Sequence, residues 1–172
     1  QDLAIAQRLA AAEPQHAGYQ RDLSVSYERL GDLMRTLGQA DTARQYFEQS
    51  LDLRARLAAA EPQRADYQRD LSVSYEKLGN VLHDLGQTDA ARQYYEQDLD
   101  IAQRLVRAEP QRADYQRDLV ISLMRMADAE PQRAQEHLTR ALDILHALRA
   151  AGLQVYQRDE MIAALEHLTS QT

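Results

Sequence analysis

The sequence predicts an all-α fold, an α-α superhelix (solenoid) of about eight antiparallel helices. Three observations predict it. The phrase Tyr-Gln-Arg-Asp returns at Tyr19, Tyr67, Tyr115 and Tyr156, with spacings of 48, 48 and 41 residues. When residues 23–70 are laid on 71–118, 15 of the 48 pairs differ and 33 are identical. The stretches between the few Gly and Pro are rich in Ala, Leu, Arg, Glu and Gln, which favour helix, and Val, Ile and Thr are too sparse for a β-rich fold. A fixed period of this length describes repeats that stack on their neighbours.

The elements follow in order. Residues 1–15 match 97–111, and residues 1–13 read as the second helix of a leading repeat, so the chain opens inside a unit, at Gln1 rather than Met. This suggests a piece of a longer array or larger protein. Residues 17–61 form a first complete repeat. In its first helix Tyr19, Leu23, Tyr27, Leu30, Met34 and Leu37 make one apolar stripe at helical spacing. In its second, Ala43, Tyr46, Phe47, Leu51, Leu57 and Ala58 do the same. Residues 65–109 repeat the pattern, with Ala91, Tyr94, Tyr95, Leu99, Leu105 and Val106 in the second helix.

Helix starts are expected at Gly18, Asp66 and Asp114, residue types suited to N-caps. Gly38 and Gly86 should end the first helices in the left-handed conformation. Pro62 and Pro110 should end the second helices, since proline disfavours helix in the residue before it.

Residues 113–151 make a shortened third repeat. Leu123, Met126 and Ala127 keep the stripe, but no Gly follows. The phrase Ala-Glu-Pro-Gln-Arg-Ala at 129–134 supplies the turn, which shortens the first helix by about one turn and puts Pro131 near the start of the next. Residues 154–170 read as a terminal helix that caps the stack.

Composition narrows the function. The formal net charge is −7, which disfavours nucleic acid and anionic membrane as partners. No apolar run is long enough to span a bilayer. Cysteine is absent, which removes thiol chemistry and disulfides and suits a cytoplasmic location. Arginine supplies all the cations except Lys77, and with abundant Ala this suggests a bacterial coding sequence.

No catalytic or cofactor constellation emerges. His16, His83, His137, His146 and His167 include no pair three or four apart on a helix, so no metal site is expected. Ser24, Ser26, Ser72 and Ser74 recur with the repeat beside no His and read as small packing residues rather than nucleophiles. No Gly-rich phosphate loop is present, since Gly38 and Gly86 are single caps. The chain is expected to be non-enzymatic, without cofactor or metal.

Tyr27-x-x-Leu30-Gly31 with Ala43 and Phe47, and Tyr75-x-x-Leu78-Gly79 with Ala91 and Tyr95, resemble the tetratricopeptide repeat family. Met34 and Leu82 stand where that family has a second aromatic. Ser50 fits its small position, whereas Asp98 departs from it. The 48-residue period exceeds the usual 34 of the family and resembles the long-helix variants, such as kinesin-light-chain-type repeats and arrays in bacterial signalling proteins. The resemblance implies that a protein or peptide binds a concave groove lined by first helices. By position, that groove contains Arg21, Val25, Glu28, Asp32 and Arg35; then Arg69, Val73, Glu76, Asn80 and His83; then Arg117, Ile121, Met124 and Asp128. Glu28 and Glu76 stand where the family's carboxylate clamp has lysine, which argues against capture of a C-terminal tail.

Equivalent residues on stacked helices would form like-charged rows, the arginines in one and the glutamates in another, which a partner of opposite charge would relieve. The pairs Asp32/Asn80, Leu33/Val81, Met34/Leu82, Arg35/His83 and Thr36/Asp84 differ between the two similar repeats, a pattern that suits tuning for a partner. The alternative function is a structural arm that self-associates end to end.

Overall fold

The structure, a computed structural model, describes residues 2–153 and 158–170. The fourth copy of the recurring phrase, at Tyr156, lies outside them. The described residues form eight α-helices: α1 (Asp2–Ala12), α2 (Ala17–Thr36), α3 (Ala40–Ala60), α4 (Ala65–Asp84), α5 (Thr88–Ala108), α6 (Ala113–Ala129), α7 (Ala134–Ala150) and α8 (Arg158–Ser170). A single 3₁₀ turn, Pro131–Arg133, precedes α7. The all-α class stands. α6 has 17 residues against 20 in α2 and α4, the shortening expected from Pro131.

The chain divides into two compact units, one ending at Tyr94 and the other starting at Tyr95. In the first, α1 packs on α2, α2 on α3 and α3 on α4. The hairpin α2–α3 closes at Gly31. Its Cα faces the ring of Phe47, and a methyl group there would lie 2.5 Å from Phe47 Cε1. Ala43, one turn earlier on α3, is fully buried beside Phe47, Leu78 and Val81. No side chain at 31, a small one at 43 and a large one at 47 let the helices interlock at interior density. In the second unit α6 packs on α7 and α7 on α8. Leu119, Val120 and Leu123 of α6, Ala141 and Leu145 of α7, and Ile162 and Leu165 of α8 form its core.

The turns explain the recurring phrases. α2 and α4 end in Schellman motifs. The N–H of Gln39 donates to the carbonyl of Met34 and that of Gln87 to Leu82, while Gly38 and Gly86 sit at φ +73. Gly152 ends α7 in the same way.

The helix starts fall two residues before the expected caps. His16, Arg64 and Arg112 are the extended N-cap residues, and Gly18, Asp66 and Asp114 lie inside the first turn. A carboxylate is as useful there, against the positive end of the helix dipole. The side chain of residue 16, 64 or 112 then folds over the tyrosine three positions on. His16 stacks on Tyr19 at 3.9 Å, and its Nδ1 accepts the Tyr19 N–H. Arg64 and Arg112 lie 4.0 and 4.2 Å above the rings of Tyr67 and Tyr115. The following glutamine reaches back to the preceding turn: Gln20 donates to the carbonyls of Ala10 and Pro14, Gln68 to Ala58 and Gln116 to Pro110.

The Gly31 contact yields a prediction. Gly31→Ala should destabilise by about 1–3 kcal/mol, the usual cost of overpacking, because the clash is with a fully buried ring. Gly38→Ala has open space for its methyl group and should cost only the left-handed backbone, roughly 1–2 kcal/mol. Urea unfolding of both variants in a Phe47→Leu background separates the two causes: the smaller side chain should relieve the first and leave the second unchanged.

Candidate functional site

The groove residues of the first unit lie on α2 and α4, and ion pairs join the flanks of these two helices. Arg21 Nε lies 2.6 Å from Asp70 Oδ2, with its Nη1 3.7 Å from Asp66. Lys77 Nζ lies 2.7 Å from Asp32 Oδ1. Arg35 Nε and Nη2 both donate to Asp84, at 2.6 and 3.3 Å.

The like-charged rows expected from the sequence are therefore absent as open stripes in this unit. The helices are staggered, so a residue meets the one 49 or 45 positions on, not its own counterpart 48 positions on. Arg21 finds Asp70, and its hydrogen bond to that carboxylate raises a pKa that is already high. Burial works against the charge on Asp66, but the hydrogen bond from Arg64 and the charges of Arg64 and Arg21 outweigh it and hold the carboxyl below its ordinary range.

Beneath this surface is a second layer that the sequence reading missed. Arg54, from α3, is only 3% exposed. It pairs with Glu28 of α2. Its Nε also donates to Ser24 Oγ at 3.2 Å, and its Nη1 to Ser74 Oγ at 3.2 Å and the Asp70 carbonyl at 3.1 Å. Ser50 donates to the Ser24 carbonyl at 3.0 Å. One guanidinium thus joins α2, α3 and α4, and the recurring serines are its acceptors. The available signal was that Arg54 aligns with Ala6 and Ala102, so a charge stands where the other repeats are apolar.

The remaining groove residues divide by exposure. Val25 of α2 and Val73 of α4 are half-buried. Asn80 is buried and donates to Glu76 Oε1 at 3.1 Å, so it lines the interior rather than an open face. Arg69 is half-buried and engaged in a polar or ionic contact. His83 is exposed. Where the flanks of α2 and α4 part, a shallow depression of about 380 Å³ is lined by Asp32, Arg35, Thr36 and Asp84.

In the second unit α6 carries Arg117, Ile121 and Met124 half-buried and Asp128 exposed, with Met124 against the core. Asp98, the departure from the small position, is buried and receives the hydroxyl of Ser122 at 2.6 Å. A second depression of about 370 Å³ includes the buried His137, whose Nε2 lies 3.1 Å from Glu130. Among the described residues, no set of three side chains of metal-ligating type is grouped to hold an ion, and no helix is long and apolar enough to cross a membrane.

Two predictions follow from these contacts. Arg54→Ala should cost about 3 kcal/mol, the low end for breaking a buried pair, because Glu28 keeps some contact with water. Glu28→Gln/Arg54→Met should recover much of that loss in chemical denaturation. The depressed carboxyl of Asp66 stabilises the fold above its unfolded pKa, and this contribution is lost as pH falls through the folded value. The stability gap between the native chain and Asp66→Asn should therefore persist from neutral pH down to about 4 and close below it, as acid titration of the unfolding midpoint would show.

Models of the tetratricopeptide repeat family match residues 25–56 and 71–109. No curated protein matches the chain. The matched stretches carry the Leu30-Gly31, Ala43 and Phe47 constellation and its counterpart at Leu78-Gly79, Ala91 and Tyr95. They support kinship with tetratricopeptide repeat proteins, and with it a role in protein–protein interaction.

Proposed function

We propose that this chain is a non-enzymatic protein-interaction module of the long-helix tetratricopeptide type, binding a peptide or protein segment along a groove lined by first helices. The observation that carries the reading is the α2–α4 face. Val25 and Val73 are half-buried, and helical spacing puts each of them on the side of its helix that carries the Arg21–Asp70 and Asp32–Lys77 pairs. An extended or helical segment laid there would bury apolar side chains on the valines and exchange hydrogen bonds with the flanking charges. The net charge of −7 makes protein a better partner than nucleic acid or an anionic membrane. At the clamp positions stand Glu76, which accepts from Asn80, and Glu28, held by Arg54, carboxylates that would repel a terminal carboxylate.

A second reading, self-association, is favoured by Ile5 and Leu9 on α1, Leu33 on α2 and Leu37 at the C-cap of α2, large apolar side chains that remain 37–59% exposed.

Peptides selected from a random displayed library against the immobilised chain separate the two. Their affinity should fall at least tenfold, about 1.4 kcal/mol, in Val25→Glu/Val73→Glu, while helical content and the thermal midpoint are retained. Equal binding to both proteins would overturn the groove reading. Self-association predicts instead a mass that rises with chain concentration in light scattering and is lowered by Leu33→Glu/Leu37→Glu.

A further inference from the structure

Several of the residues that differ between the two near-identical repeats lie where α4 meets the α2–α3 hairpin: Arg35 on Asp84, Asp32 on Lys77, Arg54 on Ser74, and Val81 against Phe47. We propose that these differences are a self-recognition code, which fixes α4 as the only helix that fits on the α2–α3 hairpin and excludes the similar helices of this chain or of a second copy.

Consider first what would happen if α2 of another copy took the place of α4. Its Thr36 would stand where Asp84 receives the Nε and Nη2 donors of Arg35, and the bidentate pair would be lost. Its Leu33 would stand where Val81 is fully buried against Ala43 and Phe47. The extra methylene has no room in a packed core. In its own place Leu33 is 49% exposed, so its size is tolerated there.

The other half of the junction discriminates as well. If α5 took the place of α3, Ala102 would replace Arg54, and Glu28 would lose its cation. Asp98 would replace Ser50, whose hydroxyl donates to the Ser24 carbonyl at 3.0 Å. A carboxylate has no proton to donate there and would face a carbonyl oxygen in a buried site. In the second unit the same Asp98 has its own donor, Ser122. Each of these residues is satisfied in its own junction and mismatched in the other.

Near-identical repeats need such a device, because apolar faces alone do not distinguish one register from another and misassembly is the characteristic failure of repeat chains. The differing positions 33, 36, 50 and 54 thus act within the fold, whether or not a partner also reads the surface around them.

The test uses the full chain refolded from denaturant at high concentration, diluted, and separated by size with light scattering. Dilution reverses simple surface association, so what persists is mis-stacked. The native chain should return as monomer. Leu33→Val/Thr36→Asp gives α2 the two features of α4 while leaving the sequence of α4 unchanged, and it should raise the persistent oligomer several-fold; Thr36→Asn, which adds no charge beside Arg35 and Asp84, should not. The same oligomer fraction in both proteins would overturn the proposal. A second pair guards against any independent effect of the surface changes: Asp84→Arg should also raise the oligomer, and Arg35→Asp/Asp84→Arg should restore the monomer. Failure of that rescue would equally sink the pairing on which the code relies.

Discussion

The approach of Phe47 to the bare backbone at Gly31 is the constraint from which the first unit is built. It sets how closely α2 and α3 cross, and that distance decides what else can reach across. With the helices this close, Arg54 on α3 can span to Glu28 and Ser24 on α2 and also to Ser74 on α4. With a wider crossing its guanidinium would be left desolvated and short of acceptors. The apolar contact therefore makes the polar one affordable. The polar one in turn favours a single arrangement among several that are equally greasy, because a buried arginine accepts only a geometry that fills its donors.

The helical architecture could be read from the sequence because it rests on local, periodic signals. Apolar side chains every three or four residues marked the helices, and Gly38 and Gly86 marked their ends with the conformation found. The shortened third hairpin followed from a proline one turn early. The helix starts were misplaced by two residues for an equally local reason. Asp66 and Asp114 carry the chemistry of a cap, but the turn is organised by the residue two positions before, which stacks on the tyrosine. Aspartate inside the first turn and aspartate at the cap are hard to tell apart by residue type.

The candidate face was less legible, for two physical reasons. Aligning repeats in sequence places like beside like, whereas packing staggers the helices and brings Arg21 to Asp70 and Arg35 to Asp84. A shift of one residue in 48 turns a repulsive row into a ladder of attractive pairs. The second reason is burial. Arg54 reads as an ordinary solvated charge on a helix, and only its alanine counterparts hint at an interior position. Asn80 fails in the opposite direction: the family pattern places it on the groove, but it is buried against Glu76.

This staggering changes how the face could bind. Exposed pairs of this kind contribute little to stability, typically up to about 1 kcal/mol each, so a partner can exchange them without unfolding anything. Because each charge already has a partner, an incoming side chain gains only the difference between the new pair and the old. Affinity would then come mainly from apolar burial on Val25 and Val73, with charge selecting orientation and rejecting mismatched sequences. The buried layer below cannot take part in that exchange, since displacing Arg54 would strip Glu28, Ser24 and Ser74 together. The first unit thus separates its two polar systems by depth: the deep one is fixed by burial, while in the shallow one the Arg21–Asp70 and Asp32–Lys77 pairs can be traded.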